Sequence, residues 1–317
     1  MTFTLDQRMS APLADPAAEA GHACPVDHRR SGARRRSTGG TTAEHPPRMG
    51  FFTDTSVCIG CKACEVACKE WNLVPEDGLD LTGMSYDNSG GLGASTWRHV
   101  AFVEQVRERP GAVDLGMPGV PQAALEADRE VTWLMASDVC KHCTHAACLD
   151  VCPTGALFRT EFGTVVVQED VCNGCGYCVP ACPYGVIDIR PDDGRAWKCT
   201  LCYDRLGAGL EPACAKACPT DSIQFGPLDE LRTRAAARVE ELQRAGVEKA
   251  RLYGHDPDDG VGGGGAFFLL LDEPEVYGLP PDPVVTTRDL PAMWKRAAVA
   301  AAGVVATVAA AFVGAAR

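Results

Sequence analysis

The chain has 317 residues, enough for two domains with buried cores, and carries a formal net charge of −12. Residues 1–50 hold seven Arg and five acids, leaving 23 basic and 37 acidic residues for the remainder; that balance argues against nucleic-acid binding and suits a redox protein that docks other proteins. Cysteine is the compositional outlier at 17, but no N-terminal apolar segment marks a secreted, disulfide-stapled protein, and all except Cys24 fall into four tight groups with metal-ligand spacing.

Residues 1–50 mix Ala, Pro, Gly, Ser, Thr and Arg without periodicity and are expected to be a disordered basic tail, with Cys24 a free thiol in it. Arg29-Arg30 and Arg34-Arg35-Arg36 invite comparison with a twin-arginine export signal, but no apolar run follows either, so a solvated tail is the better reading. Met49 reads as an alternative start. Phe51 to Ser56 is a predicted short strand leading into the first group, Cys58-x2-Cys61-x2-Cys64-x3-Cys68, which lacks a trailing proline. A loop rich in Gly, Asp and Ser over 76–95, a half-buried strand from Trp97 to Val106 and a second loop from Pro110 to Pro121 follow. A strand from Val131 to Ala136 enters the second group, Cys140-x2-Cys143-x4-Cys148-x3-Cys152-Pro153. The third is Cys172-x2-Cys175-x2-Cys178-x3-Cys182-Pro183, and the fourth Cys199-x2-Cys202-x11-Cys214-x3-Cys218-Pro219, its long insertion expected to form a loop or hairpin.

C-x2-C-x2-C-x3-C-P is the bacterial ferredoxin run for cubane iron-sulfur clusters. Three thiolates two residues apart wrap one corner of a cubane, while the fourth, on the next helical turn, points to a second cluster. One run therefore implies two clusters. Gly174 and Gly176 free the loop to aim backbone N–H groups at the anionic centre, and Pro183 ends the local turn. Three of the four groups end in Cys-Pro and run into a short β-prone segment, an internal repeat of ferredoxin halves that sums to two dicluster modules. Zinc sites use separated C-x2-C pairs, a poorer fit to three thiolates within nine residues. No ligand position is replaced by Asp or Trp, so four 4Fe-4S clusters are expected.

Lys62, Lys141, His142, His145 and Lys198 lie beside ligands and could favour the reduced clusters, although such positions are mostly exposed loop residues. Trp71, Trp97, Trp133 and Trp197 read as packing around the clusters. No catalytic triad or nucleotide loop is present, so the chain is expected to carry electrons and not to perform substrate chemistry.

Beyond the cysteines, Leu231, Ala235, Val239 and Leu242 mark an amphipathic helix from Leu228 to about Ala245. A Gly- and Asp-rich loop from His255 to Gly264, a buried strand from Ala266 to Leu271 and an extended proline-rich linker from Pro274 to Pro291 are expected next. Ala297 to Ala316 is uncharged, flanked by Trp294-Lys295-Arg296 and Arg317, and long enough for one bilayer crossing, which needs about 20 apolar residues. Its alanine content leaves a buried Ala-rich helix as the alternative.

These motifs, with the start Asp54-Thr-Ser-Val-Cys58-Ile-Gly-Cys61-Lys-Ala-Cys64, the run Trp197-Lys-Cys199-Thr-Leu-Cys202-Tyr-Asp-Arg205, the segment Glu211-Pro-Ala-Cys214 and Tyr277-Gly-Leu-Pro280, resemble the iron-sulfur β subunit of membrane-bound formate dehydrogenase over roughly residues 51–316. The resemblance implies an α+β fold: two bacterial-ferredoxin-like dicluster modules with a C-terminal extension and a single C-terminal transmembrane helix. The outer module comprises 51–135 plus 195–226, the inner module 136–194, the extension 227–290 and the anchor 291–317. It also implies nested ligand sets. Cys58, Cys61, Cys64 and Cys218 form the first; Cys199, Cys202, Cys214 and Cys68 the second; Cys140, Cys143, Cys148 and Cys182 the third; Cys172, Cys175, Cys178 and Cys152 the fourth. Cys175 stands where the related nitrate reductase branch has Trp and a three-iron cluster. The implied partners are a molybdopterin (molybdenum or tungsten) catalytic α subunit that oxidises formate and a membrane cytochrome b (γ) subunit that passes electrons to quinone. A related reductase or hydrogenase subunit is the nearest alternative; a redox sensor or scaffold lacks support, there being no basic recognition surface. Lys295 and Arg296 against Arg317 point by the positive-inside rule to a cytoplasmic cluster domain, whereas the resemblance implies the outer face of the cell membrane, which is the expectation adopted.

Overall fold

The structure, a computed structural model, describes residues 46–78, 82–83, 86–108 and 129–315. The expectations for the basic tail up to residue 45 with Cys24, for its arginine pairs and for the loop from Pro110 to Pro121 lie outside the described residues; residues 49–50, expected in the disordered tail, belong instead to a strand. Strand β1 (Met49–Asp54) sits inside a four-stranded sheet, between β8 (Ile223–Pro227), to which it runs antiparallel, and β10 (Ala266–Leu270), to which it runs parallel; β9 (Arg251–Tyr253) closes the edge antiparallel to β10. Successive strand residues face opposite sides. Phe52 accordingly stacks on Phe267 (5.3 Å) within a core shared with Leu228, Leu231 and Ala235 of the expected amphipathic helix, while Phe51 turns to a second core that contains Cys64, Cys68, Cys140, Cys199 and Cys214.

The cysteines hang from short elements between the two ends of this sheet. Helix α1 (Ala63–Asn72) carries Cys64 and Cys68, and β2 (Arg98–Glu108) pairs antiparallel with β3 (Arg129–Val139). Then come α2 (Ala147–Asp150), the β4–β5 pair (Leu157–Arg159 with Val165–Val167), α3 (Cys178–Ala181), the β6–β7 pair (Asp188–Ile189 with Ala196–Trp197), α4 (Tyr203–Gly207) and α5 (Ala213–Lys216). Helix α6 (Leu228–Arg244) covers one sheet face, and α7 (Leu290–Ala315) ends the described residues. Because β1 precedes the first cysteine group and β8 follows the fourth, their ladder draws the two outermost groups together. Arg48, one residue ahead of Met49, donates to Thr144 Oγ1 (2.7 Å) and to the His142 carbonyl (2.8 Å), so the segment before Met49 also takes part in the folded body.

Two expectations change. The insertion between Cys202 and Cys214 opens with a helix, α4, before the expected loop, which runs over 208–212: Leu206 is buried, Arg205 lies over the Trp71 ring (4.2 Å), and Trp71 Nε1 donates to Asp204 (2.8 Å), contacts outside the reach of a local pattern. The segment from Pro274 to Pro291 is folded back and not an extended linker. Pro274 starts a 3-10 turn, a position its fixed φ suits, and Tyr277, Leu279 and Val285 are buried. Helix α7 starts at Leu290, earlier than expected, and every described side chain in it is exposed; its 26 residues span about 39 Å at 1.5 Å per residue. Just ahead of it, Thr287 Oγ1 donates to Asp150 of α2 (2.6 Å).

Phe52 is fully buried, whereas Val66 on α1 is 61 % exposed. Phe52→Ala is expected to cost about 3–5 kcal/mol and Val66→Ala no more than about 0.5 kcal/mol; anaerobic thermal denaturation of the two variants checks the difference.

Candidate metal centres

Four cysteine sets converge, called A to D here. At A, Cys58, Cys61, Cys64 and Cys218 line one cavity together with Gly60, Val100, Ser137, Thr220 and Ser222. The chain leaves β1 through a 3-10 turn capped by the Asp54 carboxylate, which accepts from Ser56 N (2.9 Å). Gly60 then takes φ +64°, and a Cβ there would lie 2.6 Å from Met135 Sδ, so only glycine meets both demands. Ser137 Oγ is 3.2 Å from Cys64 Sγ.

At B, Cys68, Cys199, Cys202 and Cys214 are all buried. Asn72 Nδ2 lies 3.7 Å from the sulfurs of both Cys68 and Cys202, and Leu201 N donates to Cys199 Sγ (3.3 Å). Burial, then the neighbouring Cys214 thiol, pushes Cys202 up to about 11. Cys68 and Cys199 are also raised, again by burial first.

At C, Cys140, Cys143, Cys148 and Cys182 line a second cavity with Lys141, His142, Val165, Tyr184, Ile187 and Lys198. D is more open. Burial pushes Cys178 up to about 11, and the thiols of Cys172, Cys175 and Cys152 add to the effect. Cys152 goes the other way: slight burial raises it, but backbone N–H groups of Leu157, Thr154 and Ala156 and the Thr154 hydroxyl outweigh that and lower its pKa. Ala196 N donates to Cys172 Sγ (3.5 Å). Gly174 and Gly176 adopt φ +70° and +75°, the left-handed conformation their positions suggested. Among the described residues no three His, Cys, Asp or Glu side chains converge as the ligands of a single metal ion would; the thiols ring wider spaces.

The sets neighbour one another in the order A, B, C, D. Burial raises Cys64 to about 11, Arg98 opposes this, and Cys214 of B adds to it. Cys199 of B is raised by burial and then by its neighbours, Cys140 of C among them. Cys148 of C is raised to about 12 chiefly by burial, with Cys178 of D contributing.

Cations between the sets are buried where the sequence suggested exposed loop positions: Lys141 is 1 % and Lys198 2 % exposed, and His142 is equally enclosed. Lys141 pairs with Asp138 and lies 5.1 Å from the ring centroids of Tyr184 and Phe268. Lys198 donates to the carbonyls of Val165 and Cys199. His142 Nδ1 accepts from Val165 N (3.0 Å), and burial, then the positive charges of Lys198, Arg48 and Arg159, holds its pKa well below the usual histidine range. Lys62 and His145 are half-buried. Trp97 and Trp197 stack on each other (6.1 Å), as expected of packing residues, whereas Trp71 and Trp133 are exposed.

One further cation is absent from the sequence reading. Arg98 opens β2, 2 % exposed; its Nη1 donates to Ser137 O (3.2 Å) and Oγ (3.1 Å), while Nε and Nη2 have no protein partner. Burial alone would lower its pKa, yet the thiols of Cys214, Cys64, Cys199 and Cys68 outweigh this and raise it. A buried guanidinium lacking an anion is strongly unfavourable. Thiolates bound to an iron-sulfur centre supply that anion, so the residues fit such a group.

A succession of cysteine sets built from ferredoxin halves defines a protein of the 4Fe-4S dicluster class. Two overlapping segments, residues 57–156 and 131–228, match the family description "4Fe-4S dicluster domain". The formate dehydrogenase iron-sulfur subunit of Haemophilus influenzae is 40 % identical over 247 residues, 76 % of this chain and 72 % of that protein. The formate dehydrogenase-O iron-sulfur subunit of Escherichia coli (strain K12) is 38 % identical over 288 residues, 87 % of each protein. The B subunit of anaerobic dimethyl sulfoxide reductase from the same organism is 38 % identical over 212 residues, 65 % of this chain and 87 % of that one. The protein belongs to the family of formate dehydrogenase iron-sulfur subunits.

Gly174 and Gly176 separate two effects. Both sit at positive φ, but a Cβ on Gly174 would lie 2.2 Å from the Gly194 carbonyl oxygen, whereas nothing lies within 4 Å of one on Gly176. Gly176→Ala carries only the left-handed cost, about 1–2 kcal/mol, while Gly174→Ala must also displace backbone; iron content and melting midpoint are expected to fall more in Gly174→Ala.

Proposed function

We propose that this protein is the electron-transfer subunit of a formate dehydrogenase complex, holding four 4Fe-4S clusters and performing no substrate chemistry of its own. Cys58, Cys61, Cys64 and Cys218 hold the first; Cys68, Cys199, Cys202 and Cys214 the second; Cys140, Cys143, Cys148 and Cys182 the third; Cys152, Cys172, Cys175 and Cys178 the fourth. The observation that carries the reading is the convergence of sixteen thiols into four successive sets, two of them lining cavities of four cysteines each. Each cluster, when bound, accepts and releases one electron at a time. The protein's part is to fix the spacing, exclude water and hold donors toward the sulfurs, as Asn72, Ser137 and the Leu201 and Ala196 amides do.

The partners on this reading are a molybdenum or tungsten pterin subunit that oxidises formate and a membrane cytochrome b that delivers the electrons to quinone. Helix α7 serves as a single membrane anchor; an 18-residue window within Leu290–Val313 has a mean hydropathy of 1.9, and none of that window is buried against the body. The Thr287–Asp150 hydrogen bond ties its base beside α2, between Cys148 and Cys152, which supports D as the membrane end and A as the end that meets the catalytic subunit. The cluster body lies on the outer face on this reading. An outer module of cysteine groups one and four and an inner module of groups two and three is supported by the β1–β8 ladder and by the β4–β5 pair.

A related reductase subunit is a second reading, favoured by the likeness to the dimethyl sulfoxide reductase subunit; the formate reading rests on the longer match, 87 % of this chain against 65 %. Anaerobically purified protein is expected to hold about sixteen irons and as many labile sulfides per chain, to copurify with a large pterin subunit, and to be reduced by formate. Eight irons or fewer in fresh material, or a partner that does not oxidise formate, would overturn the respective half of the reading. Truncation after Asp289 is expected to release this subunit and its pterin partner from the membrane fraction, leaving the cytochrome b behind, without loss of iron.

A further inference from the structure

Arg98 lies 30 residues past the first cysteine group and belongs to none of the loops that present ligands. Thiols of two sets nonetheless act on it. Its guanidinium is buried, lies over the Phe51 ring (4.9 Å) and reaches Cys64 through Ser137 Oγ, which is 3.1 Å from Arg98 Nη1 and 3.2 Å from the Cys64 sulfur. No carboxylate lies within ion-pair distance among the described residues, and Nε and Nη2 find no protein acceptor. The charges that act on it come from Cys64, a member of set A, and from Cys214, Cys199 and Cys68, members of set B. A surface arginine would be hydrated and screened; among the described residues the charges that chiefly answer this one belong to the two cysteine sets.

We propose that Arg98 is a fixed counter-charge shared by centres A and B, raising the midpoint potentials of those two centres and leaving C and D untouched. The inference rests on the four-cluster reading. The sign follows from charge: reduction adds an electron to an already anionic centre, and a nearby permanent cation stabilises the more negative state. Selectivity follows from position, since Lys141 and Lys198 line C while Arg98 faces A and B. An alkylammonium at this position carries the charge without the planar set of donors that the guanidinium holds, so lysine preserves charge but not the full donor set.

The test is an anaerobic redox titration of the whole complex, followed by electron paramagnetic resonance, in wild type, Arg98→Met and Arg98→Lys, with iron counted in each. In Arg98→Met the reduced-to-oxidised ratio of two centres at fixed potential is expected to fall tenfold or more, each tenfold being about 59 mV for one electron. The other two centres should stay in place, and Arg98→Lys should recover most of the shift. Four unchanged midpoints with full iron would overturn the proposal, as would a uniform shift of all four, which marks a structural role. If Arg98→Met loses iron, Arg98→Lys decides: retention of all iron supports the charge role, and loss in both variants overturns it. Wild-type protein with fewer than four clusters would overturn the four-cluster reading instead, independently of the variants.

Discussion

Thiolates resist the burial this protein imposes on its cysteines. Removing a thiolate from water raises its pKa, and in the described cysteines that effect comes first at Cys58, Cys64, Cys68, Cys143, Cys148, Cys178, Cys199 and Cys202. At neutral pH such groups are protonated unless iron takes the place of the proton. The cavities are thus poor places for uncompensated thiolates, and a thiolate in them needs the positive charge of a metal centre to replace the lost solvation. The other unusual features answer the same constraint. Cations are buried beside the sulfurs, amide donors point at them, and left-handed loop residues such as Leu201 and Cys202 turn the backbone so that N–H groups face inward.

Closing these sets demands pairing between distant parts of the sequence. The β1–β8 ladder aligns Phe51 with Phe225 and thereby sets Cys58 beside Cys218, while the parallel β1–β10 ladder sets Phe52 against Phe267 and gives the sheet a face for α6. The extension is therefore more than an appendix to the ferredoxin modules. It supplies the strand and the helix that lock β1 in place, and β1 positions the first group. Asp272 adds a polar tie by accepting from Gln105 of β2 (2.9 Å) and from Lys249 (2.7 Å).

How much of this was legible in the sequence depends on range. The cysteine groups, the glycine positions in the third loop, the α6 stripe and the strand from Ala266 announced themselves, because spacing and periodicity act over a few residues. The short helix α4 between Cys202 and Cys214 did not, since it depends on Trp71 from another element, and neither did the folding back of the segment around Tyr277. Burial of Lys141 and Lys198 was misjudged for a related reason: lysine beside a cysteine loop is ordinarily solvated, and only the packing of Phe268, Tyr184 and Val165 around these side chains removes them from water. Arg98 carried no local signal whatever. Its role comes from the β2–β3 pair, which sets it against Ser137 and between two cysteine sets.

On the proposed ligand sets, the distances between neighbouring centres have two different origins. Cys64 and Cys68 stand one turn apart on α1 yet serve A and B; Cys214 with Cys218 for the same two sets, and Cys148 with Cys152 and Cys178 with Cys182 for C and D, are also four residues apart, the first on a short helix and the second just past its end. Four residues of helix rise only about 6 Å, and even extended they span no more than about 14 Å, so within each pair the short covalent link bounds the spacing. Between B and C no such helix exists. That step depends on the approach of Cys199 to Cys140 and on Lys198, which holds the Cys199 carbonyl (3.0 Å) and the β5 carbonyl of Val165 while facing Cys148. Tertiary packing alone sets that distance. The junction of the two modules is therefore where the protein, and not the local motif, determines how readily an electron crosses.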